Sequence, residues 1–459
     1  MPMTTQRLIR FAPALAWFAV LAAGYALILK LNFPGHMSVD SVISLTEGRR
    51  GVRIVFGPPM YSSILGFFDR ITPSSPAAYL VGAAGLLAAA WAALPGLRSR
   101  ISWIAPVVLA GALLAPQVLL YQAIMWKDVL FANFAIAGFV TLAHAVTRWE
   151  RPRPRMVLLA VSFVLLGMAC LLRQNGALVA LFSAATLGWT AWASGWRKAA
   201  GWALVGFVAP LICMKAFDIV TPVKDPPGVN RDVGLRLLQG YDLAGAIAAD
   251  PKRPLRVLEA ANPQAAAALR EEAPKYYSPT RVDALLGSRT LGKAMTRYSA
   301  GEIARQWVET LTEDPLGYAG RRLEVFRWVF ATPDIDQCLP IHLGIDGPPQ
   351  YMAELGLTRR QDRDDLRLWN YTTWWMDTPG LSHPAFAALA LAVAGFLLVR
   401  REAADIAMAG LMLSALSFAA SFYVISLACD YRYLYFLDLA AITGAVYVAL
   451  DPRLRRRNA

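Results

Sequence analysis

Long apolar runs separated by polar stretches set the pattern of this chain. Ten runs approach the roughly 20 residues that a helix needs to cross a bilayer, near 9–30, 77–96, 102–121, 128–147, 156–172, 176–195, 200–219, 384–399, 404–427 and 433–450. Strand-like alternation is scarce. The pattern predicts an all-α polytopic membrane protein with about ten transmembrane helices. Two polar stretches are long. The first, 32–76, predicts an outer loop with interfacial helices. The second, 221–383, contains Ala/Leu/Arg/Glu-rich segments such as Pro263 to Ala273 and Gly301 to Thr312 that read as helices. It predicts a helical extracytoplasmic domain inserted between helices 7 and 8. The expected organisation is therefore 1–220 (helices 1–7), 221–383 (outer domain) and 384–459 (helices 8–10 and a basic tail).

Composition and charge fix the environment and the orientation. Of 459 residues, 56% are hydrophobic and 17% charged, against roughly 25% charged in soluble proteins. Basic residues retained on the cytoplasmic side orient membrane helices. With the N-terminus inside, the inner segments collect Arg7 and Arg10, Arg98 and Arg100, and Arg148, Arg151, Arg153 and Arg155. They also collect Arg197 and Lys198, Arg400 and Arg401, and Arg453, Arg455, Arg456 and Arg457. The short outer turns hold only Lys127, Arg173 and Arg432. Both termini are expected in the cytoplasm and the large domain outside. The net charge of +13 is largely these anchors and calls for no nucleic acid. Asn32-Phe33-Pro34 follows the first run without a small-residue cleavage pattern, so this run reads as a span, not a removed signal.

Four cysteines add little. Cys170 and Cys213 fall in apolar runs, whereas Cys338 and Cys429 both fall on the outer side, where disulfides persist. Whether they pair stays open.

The candidate chemistry lies at the outer ends of helices. Trp126-Lys127-Asp128, Arg173-Gln174-Asn175 and Asp430-Tyr431-Arg432-Tyr433 share one membrane face in this topology. They read either as interfacial anchors or as a shared anion site, since guanidinium forks and ammonium groups bind phosphate. In the first outer loop, Ser38 is a plausible N-cap. It places Asp40 in the first turn of a short helix, where a carboxylate complements the dipole. Gly48 is expected to end that helix. Glu47, seven residues after Asp40, falls on the same face. Asp40 serves either as a cap residue or as a catalytic carboxylate. Asp438, inside the last run, is either functional or a neutral packing residue. His36, His342 and His383 are scattered and show no zinc spacing.

These residues resemble a family. The early Asp40, followed by Phe56-Gly57-Pro58-Pro59-Met60-Tyr61, resembles the GT-C superfamily of membrane glycosyltransferases. So do Trp126-Lys127-Asp128, Leu172-Arg173-Gln174-Asn175-Gly176 and Asp430-Tyr431-Arg432-Tyr433, which resemble positions in bacterial members of unassigned substrate. Tyr241-Asp242-Leu243-Ala244-Gly245 and the Tyr318 to Phe330 segment extend the likeness. The resemblance implies transfer of a monosaccharide from a polyprenyl-phosphate carrier to an outer-face acceptor (a glycolipid, polysaccharide or protein), at the bacterial inner membrane. Asp40 is then the general base, and Lys127, Arg173 and Arg432, with Arg50 or Arg53, stabilise the leaving phosphate. Glu47, Asp128, Gln174, Asn175, Asp430, Tyr431 and Tyr433 are further pocket candidates. A single displacement inverts the anomeric centre. The chain departs from the family at Gly57, where many relatives have His, and at Ser41, where some have a second acidic residue. With few carboxylates in reach, no essential metal and no cofactor are expected; the lipid-linked sugar is the substrate. The competing reading is a transporter or flippase of a lipid-linked sugar, which more often shows paired broken helices.

Overall fold

The computed structural model describes residues 2–54, 57–226 and 233–454, with side chains from residue 12 onward. The side chains of Arg7 and Arg10, and Phe56, Pro227, Gly228, Arg455, Arg456 and Arg457, lie outside the described residues. The first ten helices are α1 (Pro2–Asn32), α2 (Val39–Arg50), α3 (Pro59–Ile71), α4 (Ala77–Ala93), α5 (Ile104–Leu114), α6 (Pro116–Leu119), α7 (Lys127–Val146), α8 (Pro152–Leu172), α9 (Leu178–Ala191) and α10 (Trp196–Val220). Shorter helices follow: α11 (Val233–Ala249), α12 (Arg256–Ala261), α13 (Pro263–Tyr276), α14 (Asp283–Gly287), α15 (Arg289–Met295), α16 (Ala300–Glu313), α17 (Pro315–Ala331), α18 (Pro349–Leu355) and α19 (Arg363–Met376). The chain closes with α20 (His383–Arg400), α21 (Ala403–Ile425) and α22 (Tyr435–Leu450).

The protein is an all-α polytopic membrane protein. Among the described residues, eight helices are long and apolar enough to cross a membrane, or nine if the bent pair α5–α6 is one span. Two of the ten expected spans therefore need correction. The run 102–121 breaks by 69° after Leu114, because Pro116 lacks the N–H that would continue the ladder and disfavours helical Ala115. The run 176–195 yields a shorter apolar helix, Leu178–Ser194, about 26 Å long at 1.5 Å per residue.

Broken backbone inside a membrane protein must find hydrogen-bond partners within the protein. From residue 114 onward, side chains and one backbone N–H supply them. Tyr371 donates to the Leu114 carbonyl, Asn32 Nδ2 to Leu119 O at 2.9 Å, and Tyr435 to Gln117 O at 2.8 Å. His36 N–H donates to Ala123 O at 2.9 Å, and the hydroxyls of Ser41 and Tyr61 both donate to Met125 O at 2.6 Å. Tyr79 reaches Trp126 O at 3.1 Å. The irregular segment 115–126 is thus a fixed part of the core.

Two compact units emerge. The first comprises residues 1–226, 341–418 and 434–459, and the second 227–340 and 419–433. Residues 341–383 of the long polar stretch thus pack with the first unit, and the division falls within α21. In the second unit, α11, α12, α13, α15 and α16 enclose a core that includes Leu243, Ile247, Leu258, Leu269 and Ile303. Beside it, the buried Arg322 guanidinium pairs with Asp242 and donates to Ser426 O at 2.7 Å. Trp307 Nε1 also donates to Asp242 at 2.8 Å. Burial raises the Asp242 carboxyl pKa, against the pull of Arg322. Cys338 and Cys429 form a disulfide with Cα atoms 4.8 Å apart.

Candidate functional site

The loop between α1 and α2 is anchored on both sides. Its Met37 N–H donates to Gly344 O at 2.9 Å, and Asp346 N–H donates to Met37 O at 3.0 Å. Arg360 donates to Gly35 O at 2.9 Å. His36 is fully enclosed: Nδ1 accepts from Gly344 N–H at 3.0 Å, leaving Nε2–H to face Asn32 Oδ1 at 3.2 Å. Burial, with Arg360 and His342 nearby, pushes the His36 pKa down to about 3. His36 is therefore held neutral, with both ring nitrogens engaged within the protein. Among the described residues, no three His, Cys, Asp or Glu side chains gather into a metal-binding group.

Helix α2 starts where this loop meets the 125–126 segment. Ser38 is its N-cap residue. Trp126 Nε1 donates to Ser38 Oγ at 2.9 Å, and Ser41, one turn on, holds Met125 O. Asp40 lies between these two tethers and is exposed in the first turn. The same contacts bring the N-terminus of α2 to that of α7, whose first residue is Lys127. Asp128, next in α7, is 1% exposed and pairs with Arg173 at 3.0 Å, itself 10% exposed. Arg173 is the C-cap residue of α8 and also lies 5.9 Å from the Phe418 ring centroid. Asp40 and Lys127 thus follow, in the chain, the two partners of one hydrogen bond, and Asp128 and Arg173 pair one residue further on. Lys127 begins the 20-residue helix α7 and Arg173 is paired with Asp128 in its first turn; the N-terminal end of a helix favours an anion. Gln174 is exposed and Asn175 half-buried beside them in the chain.

Other candidates have different work. Glu47 is fully buried. Its carboxylate accepts from Ile54 N–H at 2.7 Å and Ser62 Oγ at 2.5 Å, which ties α2 to α3. Arg50 forms a bidentate pair with Glu354, about 15 Å along α2 from Asp40 at 1.5 Å per residue. Arg53 pairs with Asp225 at 2.7 Å. Gly48 does not end α2; a Cβ there would stand 2.3 Å from Ser62 O, so it permits the close α2–α3 crossing. Gly51, at φ 68°, is the terminator, a conformation glycine adopts at little steric cost. Asp438 and His383 are both fully buried and hydrogen-bonded at 2.9 Å.

Asp430, Tyr431, Arg432 and Tyr433 belong to the second unit. There Arg432 pairs with Asp430 at 2.7 Å, Tyr431 is buried, and Tyr433 stacks on Phe422 with centroids 5.6 Å apart.

Beneath the 121–126 segment lies a polar network that no motif announced. Gln122 Nε2 donates to Asn133 Oδ1 at 3.2 Å and to Tyr435 at 2.8 Å. Asn133 returns a bond to Gln122 Oε1 at 2.8 Å, and Tyr121 stacks on Tyr435 at 5.0 Å. The only sequence signal was amide polarity in and between apolar runs.

No family model matches the chain, and no curated protein matches it. Two solved structures are similar. One is the archaeal oligosaccharyltransferase AglB from Archaeoglobus fulgidus in complex with an inhibitory peptide and a dolichol-phosphate, at 13% identity and TM-score 0.44 over 94% of this chain and 50% of that one. The other is an Archaeoglobus fulgidus oligosaccharyltransferase in complex with Zn and sulfate, at 15% identity and TM-score 0.44 over 94% and 48%. The chain spans about half the length of each.

Proposed function

We propose that this protein is a GT-C-type glycosyltransferase that moves a monosaccharide from a polyprenyl-phosphate carrier to an outer-face glycolipid, polysaccharide or protein. The observation that carries the reading is the exposed Asp40 carboxylate, pinned through Ser38 and Trp126 beside the N-terminus of α7. Lys127 begins that helix, and Asp128 holds Arg173 against it.

The chemistry follows from those charges. A sugar hydroxyl is a weak nucleophile, so Asp40 takes its proton as the oxygen attacks C1. The bond from C1 to the phosphate oxygen breaks, and the polyprenyl phosphate leaves with the electron pair. Lys127 and Arg173 supply positive charge where the leaving phosphate gathers negative charge. One displacement of this kind inverts the anomeric centre. These residues all belong to the first unit.

In this reading the protein sits in a bacterial inner membrane with both termini cytoplasmic and residues 221–383 outside. The basic ends of the apolar helices support that orientation. So does the Cys338–Cys429 disulfide, because such bonds persist in oxidising compartments.

A lipid-linked sugar profile of a deletion strain tests the function. The proposal expects one polyprenyl-phosphate sugar to accumulate and one envelope glycan to lose a residue. An unchanged profile contradicts it. Loss of carrier movement across the membrane in the deletion strain, with transfer intact in its membranes when donor is supplied on the outer side, would point to a flippase instead.

A further inference from the structure

The opposite end of α7 carries cations of a different kind. Most basic residues there are already neutralised or held. Arg98 pairs with Asp405 at 2.5 Å and with Glu402, and Arg400 pairs with Asp405 at 2.7 Å. Arg155 lies 4.8 Å from the Trp149 ring centroid and 5.2 Å from that of Trp202, and it donates to Trp149 O at 2.7 Å. The turn between α7 and α8 and the start of α8 keep three more, Arg148, Arg151 and Arg153. Among the described residues none of these three makes an ion pair, and Glu150, the one acid in this turn, is exposed.

Two of these arginines line a surface cavity of about 560 Å³ with His144, Pro154, Val157 and Leu158. Arg148 is fixed in place: its Nη1 donates to His144 Nδ1 at 2.9 Å and to His144 O at 3.1 Å. His144 is fixed in turn, with Nε2 bonded to Ala93 O at 3.0 Å. Accepting from Arg148 at Nδ1 makes this imidazole neutral, so the cavity's charge comes from the two guanidinium groups. Its apolar wall continues along α8, where Val157, Val161 and Val164 are exposed by 65%, 45% and 41%. Their spacing of four and three residues puts them on one helix face.

We propose that this cavity binds the headgroup of an anionic membrane phospholipid. The phosphodiester sits between Arg148 and Arg153, and an acyl chain lies along Val157, Val161 and Val164. Guanidinium forks match phosphate oxygens. Basic pockets between membrane helices are a known setting for acidic headgroups. The apolar stripe leading out of the cavity is what distinguishes a phospholipid from free phosphate.

Native mass spectrometry of the purified full-length protein tests this, with phosphatidylglycerol, phosphatidylcholine or inorganic phosphate added to delipidated samples. Phosphatidylglycerol is expected to be retained at least about tenfold better than phosphatidylcholine, and not displaced by equimolar phosphate. Near a membrane surface each Arg contributes enough for about a fivefold change. Arg153→Gln should therefore weaken retention about fivefold, and Arg148→Gln with Arg153→Gln about 30-fold. Arg153 is exposed, so the single variant remains informative if the double variant melts early. Equal retention of the two lipids, unchanged retention in a folded Arg153→Gln protein, or displacement by phosphate alone would each overturn the proposal.

Discussion

The Trp126 indole donates to Ser38 Oγ at 2.9 Å, across 88 residues of sequence, and this bond joins the start of α2 to the start of α7. Asp40 and Lys127 stand one or two residues beyond its ends. The bond makes the pair a single construction, so disturbing it should be felt in catalysis before it is felt in folding.

Trp126→Phe removes the donor and keeps most of the ring. A net hydrogen bond is worth about 1 kcal/mol, so turnover should fall roughly fivefold. Ser38→Ala should do the same. The double variant should lose little more than either single one, because both remove one interaction. Full additivity in steady-state kinetics would separate the two residues.

Lys127 and Arg173 should respond differently. Lys127→Gln removes a half-buried cation and should weaken donor binding by about 10- to 100-fold, the worth of a charge-assisted bond, with a smaller loss of melting temperature than Arg173→Gln. Arg173→Gln should weaken donor binding and also lower the melting temperature, because it strands the buried Asp128 carboxylate. Binding isotherms and thermal melts on the same preparations distinguish the two.

His36 makes stability depend on acid. Its folded pKa is depressed to about 3, whereas the unfolded value is near 6.5. The unfolded chain therefore binds more protons between those values, and stability falls as pH drops from about 6.5 towards about 3. The slope contributed is about 1.4 kcal/mol per pH unit within that window. Burial raises the neighbouring Asp365 carboxyl, which acts with the opposite sign from pH 3.8 upward. The readout is therefore the difference in melting slope between wild type and His36→Asn. The variant should be flatter between pH 6 and 4.5, and identical slopes would remove His36 from the acid response.

The disulfide closes a loop with a sequence separation of 91, for which chain entropy predicts up to about 4.6 kcal/mol. Under denaturing, non-reducing conditions, thiol labelling should tag only Cys170 and Cys213. Tagging of all four in protein taken from the cell envelope would contradict both the bond and the proposed outer placement of the second unit.

Much of the fold was legible because membrane helices announce themselves by length and apolarity. The break in the third run was written in Pro116, but continuous apolarity on both sides masked it. Asp40 stood out as a capping carboxylate at a helix start. Glu47, on the same nominal face, looked equivalent. Its burial comes from α3 packing across Gly48 and Gly66, which no spacing within α2 reveals. Arg50 and Arg53 looked available because their partners, Glu354 and Asp225, are 304 and 172 residues away. The pairing of Asp438 with His383 was hidden for the same reason. Long-range pairing decides which charges are free for chemistry, and local pattern does not contain it.

The most direct measurement of the central claim is sugar transfer and donor binding by purified Asp40→Asn in one preparation. Asparagine keeps the size and caps a helix about as well as aspartate, but it cannot take the acceptor's proton. General-base catalysis is worth about 10²- to 10⁴-fold. Transfer is expected to fall by that factor while donor affinity stays at its wild-type value and the variant stays folded. Near-normal transfer by the folded variant would contradict it.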